Sequence, residues 1–286
     1  MLRSRKEEGS HPVVACHHPP MTPHLGFGIT AQADPRGAGV AELAEALETL
    51  GYDELWANDG RLGSGLATLT AALPTTSRIL LGLGVAPLSN RTPSEIAGAV
   101  EHLGLPLDRL LLGVGTGSGS SLAAVRQGVA ALRRLLPDAN LGIAALGPHM
   151  CELGGEIADF VLLNWAAPER IAWSRERIVE GARAAGREAP RVACYVRTAV
   201  GPDAAARLEA EATRYRSRPR PYARLFDAQA EAAPGVPGVA ADDPDEIPAL
   251  LAPYRAALDS CVVRALPATP DIAGWLAVAE AATLQR

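Results

Sequence analysis

The glycines of RLLLGVGTGSGSS (residues 109–121) fall at 113, 115, 117 and 119, and hydroxyl side chains follow them. An apolar run ending in small residues lets backbone N–H groups approach a phosphate closely, above all just before a helix. This is not the dinucleotide fingerprint, because Ser118 or Ser120 stands where G-x-G-x-x-G needs its last glycine. It is not a Walker loop either, since no Gly-Lys-Ser or Gly-Lys-Thr follows. Gly115, Thr116, Gly117 and Ser118 are the candidate contacts. ALGPHM offers a second cradle, with Gly147 and Pro148 ahead of a helical pattern and His149 in its first turn. Each segment alone reads equally as a tight strand–helix turn. Two of them on successive strands favour an anion site.

Other residues carry more than one reading. Asn58-Asp59 closes a short apolar run, and Asp59 suits a general base, a hydrogen-bonding group for a ring, or a cap for the next helix. Gly82 and Gly84 in RILLGLGVAPL permit close approach to a flat ligand, or a bulge that helps to close a barrel. Cys16, His17 and His18 lack a second spaced ligand pair, so no metal is expected. Gly117-Ser118-Gly119 lacks the framing of a nucleophile elbow, which argues against acyl transfer.

The elements that must position these residues are regular. From residue 24 onward, strand-like runs alternate with amphipathic stretches: HLGFGIT, YDELWAND, RILLGLGVAPL, RLLLGVGTG, ANLGIAAL, DFVLLNW, RVACYVRTAV and LDSCVVRALP each precede a helical pattern. TPSEIAGAVEHLG opens with Thr92, Pro93 and Glu95 in a capping-box arrangement. Eight strand–helix units in 286 residues predict a (β/α)8 TIM barrel over an open sheet of about six strands. The expected division is a tail over residues 1–22 and one barrel domain over 23–286, with a Pro- and Ala-rich rim insertion near 217–241. Barrel chemistry lies at the C-terminal strand ends. That rule selects Thr30, Gln32, Asn58, Asp59, Gly84, Val85, Gly115 to Ser118, Gly147, Pro148, His149, Asn164, Trp165, Arg197, Thr198 and Arg264.

Composition excludes several partners. A formal net charge of -5 gives no basic face for nucleic acid or an anionic membrane. No apolar run reaches the roughly 20 residues of a membrane span, and residues 1–22 lack the apolar core of a signal peptide. The four cysteines are widely spaced, as expected of reduced thiols in the cytoplasm.

With these residues assembled, the chain resembles the bacterial luciferase-like monooxygenase superfamily. It is most similar to the branch that uses the deazaflavin coenzyme F-420 and includes methylenetetrahydromethanopterin reductase. The matching segments are AEALETLGYDELWANDG, LATLTAALPTTSRILLGLGVAPLSNRTPSEIAGAVEHL, DRLLLGVGTG and ALGPHMCELGGEIADFVLL, which cover much of residues 40–163. The resemblance implies a luciferase-like barrel, usually a homodimer, with the cofactor lying across the strand ends near Asn58 and Asp59. It places a non-proline cis peptide at Gly84-Val85 and phosphate contacts on Gly115, Thr116, Gly117 and Gly147-Pro148. Relatives in the F-420 branch often read Asp-His where this chain has Asp59-Gly60, and its sugar-phosphate dehydrogenases carry Glu where Ser118 stands. Their acid/base pair is therefore not implied here. The expected function is F-420-dependent hydride transfer with a small-molecule substrate. The alternatives are an FMN-dependent monooxygenase and a non-catalytic barrel relative.

Overall fold

The computed structural model describes residues 23–60, 63–117, 121–217, 220–230 and 235–283. The expected tail, and with it Cys16, His17 and His18, lies outside the described residues, as does Ser118. Strand and helix alternate from the start: β1 (His24–Thr30), α1 (Val40–Thr49), β2 (Glu54–Asn58), α2 (Gly65–Thr70), β3 (Leu80–Pro87), α3 (Pro93–His102), β4 (Leu110–Gly115) and α4 (Leu122–Leu135). The second half continues with β5 (Asn140–Ala144), α5 (Pro148–Ile157), β6 (Phe160–Asn164), α6 (Pro168–Ala184) and β7 (Arg191–Val200). Then come α7 (Ala204–Arg216), α8 (Arg220–Ala230), β8 (Val239–Ala241), α9 (Ile247–Ala257), β9 (Ser260–Ala265) and α10 (Ile272–Thr283).

Every strand pair is parallel, and β9 returns to β1 while β6 pairs with β7, so eight strands close into a barrel. The (β/α)8 reading of the sequence holds, and all eight strands it names are present. Two elements were not foreseen, both inside the supposed rim insertion. The short β8 pairs with the far end of β7, which runs past the barrel wall. Helix α8 forms within the stretch read as a Pro- and Ala-rich rim insertion. Residues Arg224 to Ala230 carry an apolar side, Leu225 and Phe226 among it, that only a contact surface elsewhere in the fold could bury. The Thr92 capping box is formed, with Glu95 Nα at 3.3 Å from Thr92 Oγ1 and the Glu95 carboxylate accepting from Thr92 N–H at 2.7 Å.

Strand residues sort by parity into two buried populations. One set, including Phe27, Leu55, Leu83, Leu112, Val161 and Val263, packs outward against the helices. The other set meets inside the barrel: Trp56, Leu111, Phe160, Leu162, Ala193, Tyr195 and Val262. Trp56 stands edge-on to Phe160 and Tyr195, at ring separations of 5.7 and 6.1 Å. Rings of this size fit because the neighbouring strand β3 carries glycine beside Trp56, and a Cβ on Gly82 would fall inside the Trp56 indole.

The same inward parity puts Glu54 at the N-terminal floor of the barrel, with none of its surface exposed. It accepts from Trp56 Nε1 at 2.7 Å, Ser260 Oγ at 2.5 Å and Arg191 Nη2 at 2.8 Å, and it pairs with His24 Nδ1 at 3.0 Å. Burial pushes this carboxyl up, but the His24 bond, the Arg191 charge and the Ser260 and Trp56 bonds together hold it below the ordinary glutamate value. A carboxyl depressed in the folded state contributes stability that is complete above its unfolded pKa and is lost as pH falls through the folded one. Glu54→Gln should therefore lower the unfolding free energy at pH 7 by about 3 kcal/mol. The gap from wild type should narrow below about pH 4, read by urea unfolding at both pH values. A gap independent of pH would show that the charge at this position is not what the floor depends on.

Candidate functional site

Following the inward parity toward the C-terminal strand ends leads from the aromatic floor to a polar mouth. On β7 the inward series is Ala193, Tyr195, Arg197, and on β9 it is Val262, Arg264; Arg197 and Arg264 are register partners on these adjacent strands. On β2 and β6 the same step reaches Asn58 and Asn164. Arg264 Nη1 donates to Gly28 O at 2.9 Å, and Nη2 donates to Thr30 Oγ1 at 2.8 Å and Asn58 Oδ1 at 3.0 Å. Arg197 is 2% exposed and donates to Asn164 Oδ1. Its guanidinium carbon lies 4.4 Å from the centre of the Trp165 ring and 5.1 Å from that of Tyr215. Beneath them Tyr195 donates its hydroxyl to Gly84 O at 3.2 Å. Burial raises its pKa far enough that the hydroxyl stays protonated at any ordinary pH.

The structure gathers Thr30, Asn58, Asn164, Trp165, Arg197 and Arg264 at this mouth, as their strand-end positions suggested. Thr198 points the other way, fully buried, and His149 is exposed beside Glu152. The Gly84-Val85 peptide is cis. The space in front of Gly84 is held by Tyr195 and by Leu162, which a Cβ there would meet at 2.6 Å. The chain's own side chains fill this position. Val85 lies across the β4 glycines: a Cβ on Gly113 or Gly115 would come within 2.9 Å of its methyl groups.

The two cradles differ. On the β4 side, Gly117 has φ +63°, a left-handed turn that glycine adopts freely, and Ser121 caps α4 by accepting from Ala124 N–H at 3.2 Å. On the β5 side, no side chain caps α5, and a Cβ on Gly147 would meet nothing within 4 Å. The α5 terminus therefore has space for an anion and unclaimed donors to meet it. The residues present fit a cofactor phosphate better there than at the capped α4.

Asp59 is bound on both sides. Oδ1 accepts from Gly65 N–H at 2.8 Å, at the start of α2, and Oδ2 lies 3.4 Å from Arg91 Nη1 in the loop after β3. Asp59 thus ties the start of α2, whose N-cap is Ser64, to the end of β2. Of the cysteines, Cys151 is pushed up to about 11 and Cys194 and Cys261 to about 12, chiefly by burial, so these thiols stay protonated.

Tyr195, Glu54 and Gln229 were not singled out in the sequence. Tyr195 was within reach, because it shares the parity of Arg197 along one strand. Gln229 was not, since its role depends on where α8 lands.

A closed parallel barrel gathers polar side chains and an uncapped helix N-terminus at its C-terminal mouth, the end at which barrel enzymes carry their sites. The family profile of the luciferase-like monooxygenases matches residues 21–140 and 131–253. The chain belongs to that family, whose members are oxidoreductases and monooxygenases. It is 27% identical over 219 residues to the 5,10-methylenetetrahydromethanopterin reductase of Methanolobus tindarius, covering 63% of this chain and 67% of that protein. Among solved structures, an F420-dependent secondary alcohol dehydrogenase in complex with an F420-acetone adduct superposes with a TM-score of 0.72 at 18% identity, covering 92% of this chain and 99% of the other. The oxygenating constituent of 3,6-diketocamphane monooxygenase from Pseudomonas putida, in complex with FMN, gives 0.66 at 13% identity, with 92% and 98% covered. No helix among the described residues is long and apolar enough to cross a membrane.

Helix α8 covers the β6 side of the mouth. Phe226 packs against Trp165 at 5.4 Å, and Asn164 Nδ2 donates to Tyr222 Oη at 3.0 Å. Gln229, 4% exposed, accepts from Ala167 N–H at 2.8 Å and donates to Trp165 O at 2.9 Å. These bonds hold the turn at Trp165, whose φ of +56° no glycine relieves. Gln229→Ala leaves a buried N–H and a buried C=O unpaired, and the expected loss is about 2–4 kcal/mol in chemical unfolding, with a changed Trp165 emission. A loss under about 1 kcal/mol would mean that α8 does not depend on this residue.

Proposed function

We propose that this protein is an F-420-dependent oxidoreductase that transfers a hydride between the deazaflavin and a small-molecule substrate. The observation that carries the reading is the uncapped α5 N-terminus at Gly147-Pro148, open to an anion, beside the Gly115–Gly117 turn of the neighbouring strand. Phosphate held there would leave the rest of a flavin-type cofactor to extend over the mouth. The resemblance of AEALETLGYDELWANDG and DRLLLGVGTG to the F-420 branch, together with the 219-residue similarity to methylenetetrahydromethanopterin reductase, favours F-420 over FMN.

When bound, the cofactor supplies the hydride chemistry. The chain supplies position and dryness. Trp56, Phe160 and Leu162 close the barrel below the mouth against water, and Tyr195 holds a neutral hydroxyl on Gly84 O. Arg264 and Asn58 fix each other at the rim. Asp59 holds the β2 and β3 loops together through Gly65 and Arg91, and we assign it to positioning rather than to proton transfer.

Purified protein titrated with oxidised F-420 and with FMN, followed by ring fluorescence, should bind F-420 in the micromolar range and FMN more weakly. Micromolar FMN binding with no response to F-420 would turn the reading to the FMN-dependent monooxygenase. Silence from both would leave a non-catalytic barrel. Gly147→Leu puts bulk into the open cradle at a position where a Cβ would meet nothing within 4 Å, so it should weaken F-420 binding at least about tenfold, or 1.4 kcal/mol. Its cost to folding should stay under about 1 kcal/mol. The matching change at Gly117 is a poorer probe, because its left-handed backbone and the adjacent Ser89 would strain any side chain there. Unchanged affinity in Gly147→Leu would remove α5 from the site.

A further inference from the structure

At the floor of this barrel an inward arginine meets a carboxylate: Arg191 pairs with Glu54 at 2.8 Å. Arg197 and Arg264 are different. They are register partners on β7 and β9, they point into the same mouth, and neither forms an ion pair among the described residues. Their partners are neutral: Asn164 for Arg197, and Gly28 O, Thr30 and Asn58 for Arg264. A guanidinium does not shed its proton in a protein. Two such charges side by side, one buried and the other half-buried, therefore repel each other with no compensation beyond the aromatic faces and the more distant Glu211.

Two buried donors near this pair also lack an acceptor. Arg197 Nε and Trp165 Nε1 are both buried and unpartnered among the described residues, and the guanidinium lies over that indole. A buried donor without an acceptor costs free energy unless a ligand supplies one. Access comes from the β1 and β2 side, where Thr30 is exposed and Asn58 and Arg264 are half-buried. Aromatic rings back the pair: Tyr195 and Trp165, both buried, lie 5.9 Å from the Arg264 and 4.4 Å from the Arg197 guanidinium carbon, and the part-exposed Tyr215 lies 5.1 Å from Arg197.

We infer that the substrate is a planar organic carboxylate, and that Arg197 and Arg264 together bind its carboxylate group at the barrel mouth. The inference rests on the reading that this mouth is where substrate and cofactor meet, and it adds the chemical class of the substrate. A carboxylate offers two coplanar oxygens to the planar guanidinium fork. A planar carbon skeleton behind it suits these aromatic rings. The cofactor phosphate is accounted for separately by α5, so the guanidiniums are not needed for it.

The probe is 4-fluorobenzoate, with the neutral isostere 4-fluorobenzamide as control, followed by fluorine NMR on the full chain with and without F-420. The benzoate should bind at least about tenfold more tightly than the amide. Arg197→Gln and Arg264→Gln should each weaken benzoate at least about tenfold, while F-420 affinity changes less than about threefold. Arg197→Lys, which keeps the charge and loses the fork, should recover part of the binding and guards against a variant that misfolds. Equal binding of acid and amide, or no binding of either to wild type, would overturn the inference. It would also fail if the Gln variants lost F-420 and left benzoate unchanged, since the guanidiniums would then serve the cofactor. A wild-type protein that selects benzoate yet ignores F-420 would support the carboxylate site and sink the cofactor reading alone.

Discussion

The fit of the Trp56 indole against Gly82, with Phe160 and Tyr195 edge-on to it, sets the depth of everything above it. Eight strands enclose a space that must be filled, because a void forfeits dispersion contacts that a barrel of this size cannot spare. Three large rings fill it from β2, β6 and β7, and Gly82 on the neighbouring β3 makes the room for Trp56. With the middle of the barrel solid, nothing binds inside it. The next inward residue on each strand must then form the mouth: Asn58 on β2, Asn164 on β6, Arg197 on β7. Packing below thus decides which side chains can meet a ligand.

The same alternation separates charge along the barrel axis. At the floor, a fully buried carboxylate is surrounded by four donors and is held ionised despite burial. At the mouth, two guanidiniums face neutral acceptors, and burial followed by the Arg197 charge lowers the Arg264 pKa. A floor satisfied within the chain needs no ligand. A mouth with excess positive charge and unmatched donors is arranged for something that arrives. The two ends are built from the same strands, so the difference lies only in which residues the parity brings inward.

Strand-like apolar runs alternating with amphipathic helical stretches made the barrel legible in the sequence: all eight wall strands and the Thr92 capping box follow from local pattern. The strand-end rule also selected Asn58, Asn164, Trp165, Arg197 and Arg264. What local pattern could not supply was which of these point inward together. Thr198 sits beside Arg197 in sequence yet faces the helices, a distinction that parity within β7 would have made. Helix α8 was less accessible. Its apolar residues acquire a partner only when β6 turns at Trp165, and the Gln229 bonds that fix it join residues more than sixty positions apart.

Two glycines that looked alike in the sequence separate on physical grounds. Gly84 and Gly147 both stood at strand ends where a missing side chain could let a ligand approach. At Gly84 the absent Cβ makes room for Tyr195 and Leu162, so that glycine serves the packing of the barrel and carries the ligand-facing surface only through its neighbours. At Gly147 no atom of the protein uses the space, and the helix behind it has donors with no side-chain partner. A strand-end glycine is evidence for a ligand only when the chain itself leaves the vacated volume unclaimed. By that criterion the plainer Gly147-Pro148 turn is the stronger candidate for an anion than the described part of the glycine-rich β4 end, where Ser121 caps the helix.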